Sequence, residues 1–308
     1  MKPRAYFCTC VQGEVSLDHW TSGACPKPPL FLPFLLGIIA NTTGDTEHCD
    51  GKVTATRTTS CPRQTLIQDF IGPDAPGGGL VFDPRRYNSI AWGWAMHEWC
   101  AKYAPPDAMV EVRFPSEGKG PAILDFGEGV KIPVSGRLDY LSPDKVMMVD
   151  IKTHSEASHK FKWQRPTPDA DLIVQFNILR TLVQLEIPDA PITKGAIWHG
   201  AQTSAKHPAP PWFEQPLPIV PLTEIGGLKC KGAHHTVREI ASMLHWGTGE
   251  IQKIEHPRDS VEWYGRVNGI INSLPMVGEP MFNGDCCPTY CGAAQPYCFR
   301  LAGRSAIL

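Results

Sequence analysis

Long apolar runs are missing from this chain. The longest, Leu30 to Ala40, is eleven residues and is interrupted by Pro33, whereas a helix that crosses a bilayer needs about 20. The run also lies too far from the first residue, behind acidic positions, to act as an ordinary signal peptide. The expectation is a cytoplasmic protein with no membrane partner. An excess of charge is missing too. Lys and Arg total 29 against 31 Asp and Glu, for a net charge of -2. That excludes a globally basic nucleic-acid binder, so any contact with DNA has to come from a local patch. No internal repeat and no helicase motif is visible.

What the chain has is apolar mass and breakers. Hydrophobic residues make up 42% of 308, enough for one large domain or two modest ones. The 30 prolines and 28 glycines predict long connections and rather little helix. There are eleven cysteines, an odd number that suits a disulfide framework poorly. In a reducing compartment they read as metal ligands or buried thiols.

Residues 1–29 show no periodicity and read as an irregular N-terminal extension, within an extension that runs to residue 50. A short helix is predicted over 30–42, a turn and helix capped by Thr59 or Ser60 over 54–71, and a flexible loop over 72–79. Helical spacing of Ile90, Trp94, His97 and Ala101 predicts a helix over 87–103. Strands are predicted over 109–114, 131–141 and 146–153, the last two joined by the turn Ser142-Pro143-Asp144-Lys145. A helix follows over 169–186, with Leu172, Gln175, Phe176, Leu179 and Leu182 on one face. A short strand over 195–199 precedes a proline-rich extended connection, and two further helices are predicted over 236–246 and 260–274.

The densest chemical signal is Gly136-Arg137-Leu138-Asp139, ten residues, then Asp150-Ile151-Lys152. Alternate side chains of a strand share a face, so Asp150 and Lys152 point the same way. Asp139 lies on the preceding strand. Two converging carboxylates repel, and a divalent cation relieves the repulsion. Such a cation polarises a phosphoryl oxygen, and a lysine beside it orients water or stabilises charge. The plain alternative is two acids and a lysine at a hairpin edge. His97 and Gln175 each sit on the apolar face of a helix, where a satisfied core residue is the ordinary reading. Imidazole is also a ligand for an ion such as Mn2+. Between the hairpin and the second helix lie His154, His159, Lys160, Phe161, Lys162, Trp163 and Arg165. Cations interleaved with aromatics suit a single strand of nucleic acid, and a solvated loop is the alternative.

Cys286, Cys287, Cys291 and Cys298 lie among Gly and Pro and resemble a metal knuckle. A local zinc site made by these four and a zinc or iron–sulfur site that recruits Cys61 as a distant ligand both fit the spacing. Cys8, Cys10, His19 and Cys25 offer a small zinc site, although their spacing follows no standard zinc pattern. Cys49, Cys100 and Cys230 read as buried thiols.

In this order the motifs resemble the RecB-like PD-(D/E)XK nucleases. The similarity is greatest to the iron–sulfur branch that includes the CRISPR-associated exonuclease and the AddB nuclease domain. Thr56-Arg57-Thr58-Thr59-Ser60-Cys61-Pro62-Arg63 resembles the segment with the first cluster cysteine. Gly93-Trp94-Ala95-Met96-His97-Glu98 resembles the histidine motif, and the segments around Asp139 and Val149-Asp150-Ile151-Lys152-Thr153 resemble the catalytic core. Cys287, Cys291 and Cys298 resemble the closing cysteines. The family's Gln-x3-Tyr motif reads here Gln175 to Leu179, with leucine in place of tyrosine.

The resemblance implies an α/β fold, restriction-endonuclease-like, with a mixed central sheet flanked by helices and a cysteine-ligated cluster joining the N- and C-terminal regions. The nuclease domain would span 51–308, its cluster subdomain formed by Cys61 and residues 280–300. His97, Asp139, Asp150 and the Ile151 carbonyl would bind Mg2+ or Mn2+. Lys152 would position the attacking water, and Gln175 would touch DNA or the lysine. Cys61, Cys287, Cys291 and Cys298 would hold a [4Fe-4S] cluster. Lys160, Lys162, Trp163 and Arg165 would contact DNA. The implied activity is hydrolysis of DNA phosphodiesters, favouring exonuclease action on single-stranded ends, with a protein partner in recombination, repair or CRISPR adaptation. The alternatives are a non-catalytic DNA-binding adaptor on the same fold and a zinc-stabilised protein with an incidental acidic hairpin.

Overall fold

The computed structural model describes residues 5–8, 10–16, 18–22, 24–26, 53–70, 81–82, 88–120, 122–165, 167–201, 210–229, 235–258 and 260–274. The expected helix over 30–42, the loop over 72–79, and Cys49, Cys230, Cys286, Cys287, Cys291 and Cys298 lie outside these residues.

The chain folds as mixed α/β. Strand β1 (Ala5–Cys8) and β2 (Gly13–Val15) are followed by a short helix α1 (Asp18–Thr21). Then come β3 (Val53–Thr54), a 3-10 turn at Arg57–Thr59, helix α2 (Pro62–Phe70), β4 (Val81–Phe82) and helix α3 (Asn88–Tyr103). Strands β5 (Met109–Phe114), β6 (Ala122–Asp125), β7 (Lys131–Leu141) and β8 (Met147–His154) lead into helices α4 (Glu156–Trp163) and α5 (Ala170–Glu186). Strands β9 (Lys194–Ala201) and β10 (Trp212–Leu217) precede helices α6 (Leu222–Gly227), α7 (Val237–Gln252) and α8 (Val261–Ser273).

Among the described residues, the central sheet has seven strands in the order β10-β9-β8-β7-β3, with β5 and β6 also paired to β7. Strand β7 organises it. Its first half pairs with β6 and β3, its second half with β5, and only its last two residues with β8. Strands β8 and β9 run parallel over eight residue pairs, from Met147↔Lys194 to His154↔Ala201. Helices α4 and α5 form the crossover that a parallel pair requires.

Two glycines let α5 lie close to the sheet. A Cβ on Gly136 would stand 2.3 Å from Leu179 Cδ2, and one on Gly195 would stand 2.2 Å from the Phe176 ring. The core that results joins Phe114, Leu138, Leu141, Met148, Phe176, Leu179, Leu182 and Ile197 to α2, α7 and α8. Asn177, fully buried on α5, keeps its amide satisfied. Its Nδ2 donates to Ile173 O at 2.9 Å and Pro218 O at 3.0 Å, and its Oδ1 accepts from Val220 N at 2.9 Å. Helix α7 begins with a capping box between Thr236 and Glu239.

Several expectations need correction. The N-terminal region is not irregular. Strand β1 pairs antiparallel with β2 and parallel with β4, making a second, three-stranded sheet. The pairing is long-range and its strands are two to four residues long, too short for a periodic pattern to register. Thr59 belongs to the 3-10 turn, and Ser60 ends that turn instead of capping a helix. Helix α2 begins on Pro62, whose fixed φ and missing N–H suit a first helical position. The segment after the hairpin is helix α4, capped by Ser155, not a loop. The proline-rich connection contains strand β10. Pro216 is tolerated there because β10 is the edge of the sheet and need not donate on its outer side. Strand β6 and the extension of α7 to Gln252 were likewise not anticipated from the sequence.

Candidate active site

The site forms where β7 and β8 part. The two strands pair at Tyr140↔Val149 and Leu141↔Met148. One residue further from the turn, the Asp139 carboxylate replaces the ladder: Ile151 N donates to Asp139 Oδ2 at 2.7 Å. On the other side of β7, β5 pairs Val110 with Tyr140 and Val112 with Leu138. Glu111 lies between them, opposite Asp139, and its φ is 55°. A left-handed backbone at a residue with a Cβ costs on the order of 1 kcal/mol, and such strain is characteristic of functional positions.

Helix α3 brings the third group. Gly93 allows the helix to approach β8, since a Cβ there would stand 3.1 Å from Thr153 Oγ1. His97 lies one helical turn further on, and its Nδ1 makes a short contact with Glu111 Oε1. Arg137 Nε lies 3.0 Å from the other Glu111 oxygen, forming an ion pair. His97, Glu111 and Asp139 thus place ligand atoms within 4.8 Å of one another.

Asp150 and Lys152 complete the cluster. They share a side of β8, as strand alternation requires, and Lys152 Nζ donates to Asp150 Oδ1 at 2.9 Å. Asp150 is 8% exposed, and among the described residues its Oδ2 is buried without a hydrogen-bond partner. Lys152 retains 32% of its side-chain exposure, and its ammonium lies beside the Asp150 carboxylate.

The electrostatics follow from this crowding. Burial and the nearby Asp150 charge push the Asp139 carboxyl up to about 6, against the opposing pull of Lys152 and His97. Burial works against the charge on Lys152, but Asp150 and Asp139 more than offset it and hold its pKa above the usual lysine value. The Glu111 hydrogen bond raises the pKa of His97 despite burial. The converging donors are one imidazole and two carboxylates, and Asp150, outside that group, adds an orphaned, buried carboxylate oxygen. That chemistry fits a hard divalent cation or Mn2+.

Other expected site residues lie apart from this cluster. Gln175 Nε2 donates to Thr59 Oγ1 at 3.3 Å, and among the described residues no hydrogen bond joins it to Lys152. In the basic segment, Lys162 and Arg165 both pair with Asp169 at the start of α5, and the Arg165 guanidinium stacks 4.0 Å from the Phe161 ring. His159 is fully buried. His154 shares a hydrogen bond of 2.8 Å with His199, and burial pushes the His154 pKa down to about 4, so His154 adds no charge to the surface at neutral pH. Lys160 and Trp163 remain exposed. Cys61 is partly buried against the core, and Cys100 is half-buried.

No protein-family model matches the chain, and no curated protein matches it. Among solved structures it is similar to the protein SSO0001, at a TM-score of 0.40 and 12% identity, over 75% of this chain and 98% of that one. It is also similar to an alkaline exonuclease (LHK-Exo) from Laribacter hongkongensis, at a TM-score of 0.33 and 12% identity, over 56% of this chain and 79% of that one. Likenesses this remote carry no argument about activity, and the geometry of the site stands by itself.

Glu111 is the site residue that sequence reasoning missed. It lies inside a correctly expected strand, as an acid between two valines. Nothing local marks it, because its proximity to Asp139 is a matter of strand register. Arg137, in contrast, is part of the segment that singled out Asp139.

Proposed function

We propose that the chain is a metal-dependent nuclease that hydrolyses phosphodiester bonds in DNA. The observation that carries this reading is the convergence of His97, Glu111 and Asp139 within 4.8 Å, beside the Asp150–Lys152 pair. His97, Asp139 and Asp150 are the residues that would hold Mg2+ or Mn2+, and Glu111 positions His97 for it. When bound, such an ion supplies Lewis-acid activation of a phosphoryl oxygen and of water.

The remaining roles belong to the chain itself. Lys152 stays protonated among its acids, so it acts as a donor and not as a base. It orients the attacking water and stabilises negative charge growing on the phosphoryl oxygens. Glu111 fixes the His97 ring through Nδ1, and Arg137 fixes Glu111, an arrangement that sets ring orientation and ligand basicity. The Asp139–Ile151 hydrogen bond holds the seam between β7 and β8 open at the place where the acids gather.

The finer reading is exonuclease action on single-stranded ends. Lys160 and Trp163 on α4, the helix that begins just beyond Lys152, offer a phosphate contact and a stacking surface. Lys162 and Arg165 serve mainly to fix α4 against α5 through Asp169. Gln175 supports the Thr59 turn that precedes Cys61. Cys61 is assigned with Cys287, Cys291 and Cys298 to a [4Fe-4S] cluster. Its support is the nearby Arg63, which donates to Leu274 O at 2.5 Å and Asn272 O at 2.7 Å and so ties this segment to the point where the cysteine-rich tail begins.

The test is cleavage of linear single-stranded DNA by anaerobically purified protein with Mn2+, beside an Asp150→Ala control. Cleavage by the parent alone supports the reading. Folded, brown protein that cleaves nothing overturns it in favour of a DNA-binding adaptor.

A further inference from the structure

A second group of metal-binding residues lies in the N-terminal sheet, separate in sequence from every residue assigned above. Cys8 ends β1, Cys10 lies in the turn to β2, His19 is on α1, and Cys25 follows α1. Cys8 Sγ is 3.0 Å from Cys10 Sγ and 3.5 Å from Cys25 Sγ. Cys10 Sγ is 3.5 Å from Cys25 Sγ and 3.2 Å from His19 Nε2. All four donor atoms lie within 4.8 Å of one another. We propose that Cys8, Cys10, His19 and Cys25 form a structural zinc site that holds the N-terminal sheet together.

Three lines of chemistry favour one zinc ion over the alternatives. The sulfurs are too far apart for a disulfide, whose bond is about 2.05 Å, and all three cysteines are free. A tetrahedron with metal–sulfur bonds near 2.3 Å has edges of about 3.8 Å, close to the observed spacing. A four-iron cluster binds each thiolate to a different iron and needs its donors set well apart, which this compact group does not offer. Three thiolates and one imidazole are a standard closed zinc set with no open position. The Cys8, Cys10 and Cys25 thiols give up their protons to solvent as the ion binds.

The local fold also shows why such an ion is needed. The elements are three or four residues long, and isolated elements of that length are not stable. Cys8, Trp20 and Cys25 are buried in this segment, so two of the four donors are shielded from solvent. The strand so ordered, β1, pairs with β4 at Ala5↔Val81 and Tyr6↔Phe82. Helix α3, which carries His97, begins six residues after β4. The ion would therefore anchor the segment that leads into the catalytic helix.

The spacing explains why the sequence alone left the site open. Cys8-x-Cys10, eight residues, His19, five residues, Cys25 lacks the usual pair of cysteines with two residues between them. The β1–β2 turn and the α1 turn together bring the four donors to one point.

The test is metal content of the full-length chain, purified without added metal and measured by inductively coupled plasma mass spectrometry. The parent is expected to carry one zinc per chain. Cys10→Ser and His19→Ala should lose most of it, while Cys100→Ser keeps it. A chain with Cys286, Cys287, Cys291 and Cys298 all changed to Ser should also keep its zinc, which separates this site from the C-terminal cysteines and from the nuclease reading. If the Cys10 and His19 variants do not fold, Co2+ substitution in that C-terminal variant decides the matter. Tetrahedral ligand-field bands with sulfur-to-cobalt charge transfer support the site, and their absence overturns it. Zinc retained in full by folded Cys10→Ser and His19→Ala, or a parent chain without zinc, also overturns it.

Discussion

Asp139 Oδ2 accepts the backbone N–H of Ile151 at 2.7 Å, across the point where β7 and β8 cease to pair. One carboxylate therefore serves two purposes. It satisfies a strand amide that has lost its ladder partner, and it brings negative charge to the place where it converges with His97 and Glu111. Structural and chemical roles can be separated by substitution.

Asp139→Asn keeps an oxygen for the Ile151 amide and removes the charge. Its stability should stay within about 1 kcal/mol of the parent, while DNA cleavage falls at least a hundredfold. Asp139→Ala also orphans the amide and should cost about 1–3 kcal/mol more. Denaturant unfolding and a cleavage assay on both variants check this. Normal cleavage by the Asn variant removes Asp139 from the site.

The Asp139 pKa gives a pH signature. In the fold it is raised from the ordinary 3.8 to about 6, so folding favours its protonated form. That contribution to stability is complete below about 3.8 and is lost as pH rises through about 6. A bound cation takes the place of the proton, and the raised pKa of His97 adds a second proton to be displaced. Mn2+ should barely shift the melting temperature at pH 5, and at pH 8 should stabilise by about 3 kcal/mol at a hundredfold excess over Kd. Equal shifts at both pH values would argue against Asp139 as a ligand.

Glu111→Gln should lower the pKa of His97 toward 6.5, because the Glu111 hydrogen bond is the main cause of its rise. NMR titration of the ring reads this directly. Losing that orientation should reduce cleavage about 10–100-fold, the usual range for a group that positions a metal ligand.

Lys152→Met should abolish cleavage while DNA affinity stays within a few-fold, since the lysine acts on charge that develops during reaction. Single-turnover cleavage and an equilibrium binding assay separate the two. A variant that binds tenfold more weakly but cleaves at the parental rate once saturated would make Lys152 a binding residue.

Arg63 is buried and bonds two carbonyls at the end of α8. Arg63→Ala should cost about 3 kcal/mol, in the range for hydrogen bonds from a charged group. Cys61→Ala should lower the melting temperature more than Cys230→Ala if Cys61 holds a cluster. Equal melting temperatures would count against Cys61 as a ligand.

Local patterns carried a large part of this fold. The spacing of apolar residues placed α3 and α5, alternation placed β5 and β7, and the same alternation put Asp150 and Lys152 on one side of β8. These features were legible because their periods of 3.6 and 2 residues arise within one element. His97, Asp139, Asp150 and Lys152 could be singled out for the same reason: each lies at a defined position on an element that the pattern reveals.

What local patterns could not show was which elements meet. Glu111 became part of the site through the register of β5 on β7 and a left-handed backbone opposite Asp139. Lys162 and Arg165, basic in sequence, are taken up by Asp169 because α4 folds back on the start of α5. Cys8, Cys10, His19 and Cys25 have no standard spacing and converge only when a hairpin and a helical turn close on one another. Periodicity reports which side of an element is apolar, since that depends on neighbours three or four residues away. Register, charge pairing and donor convergence depend on residues tens of positions apart, and only the packed chain brings those together.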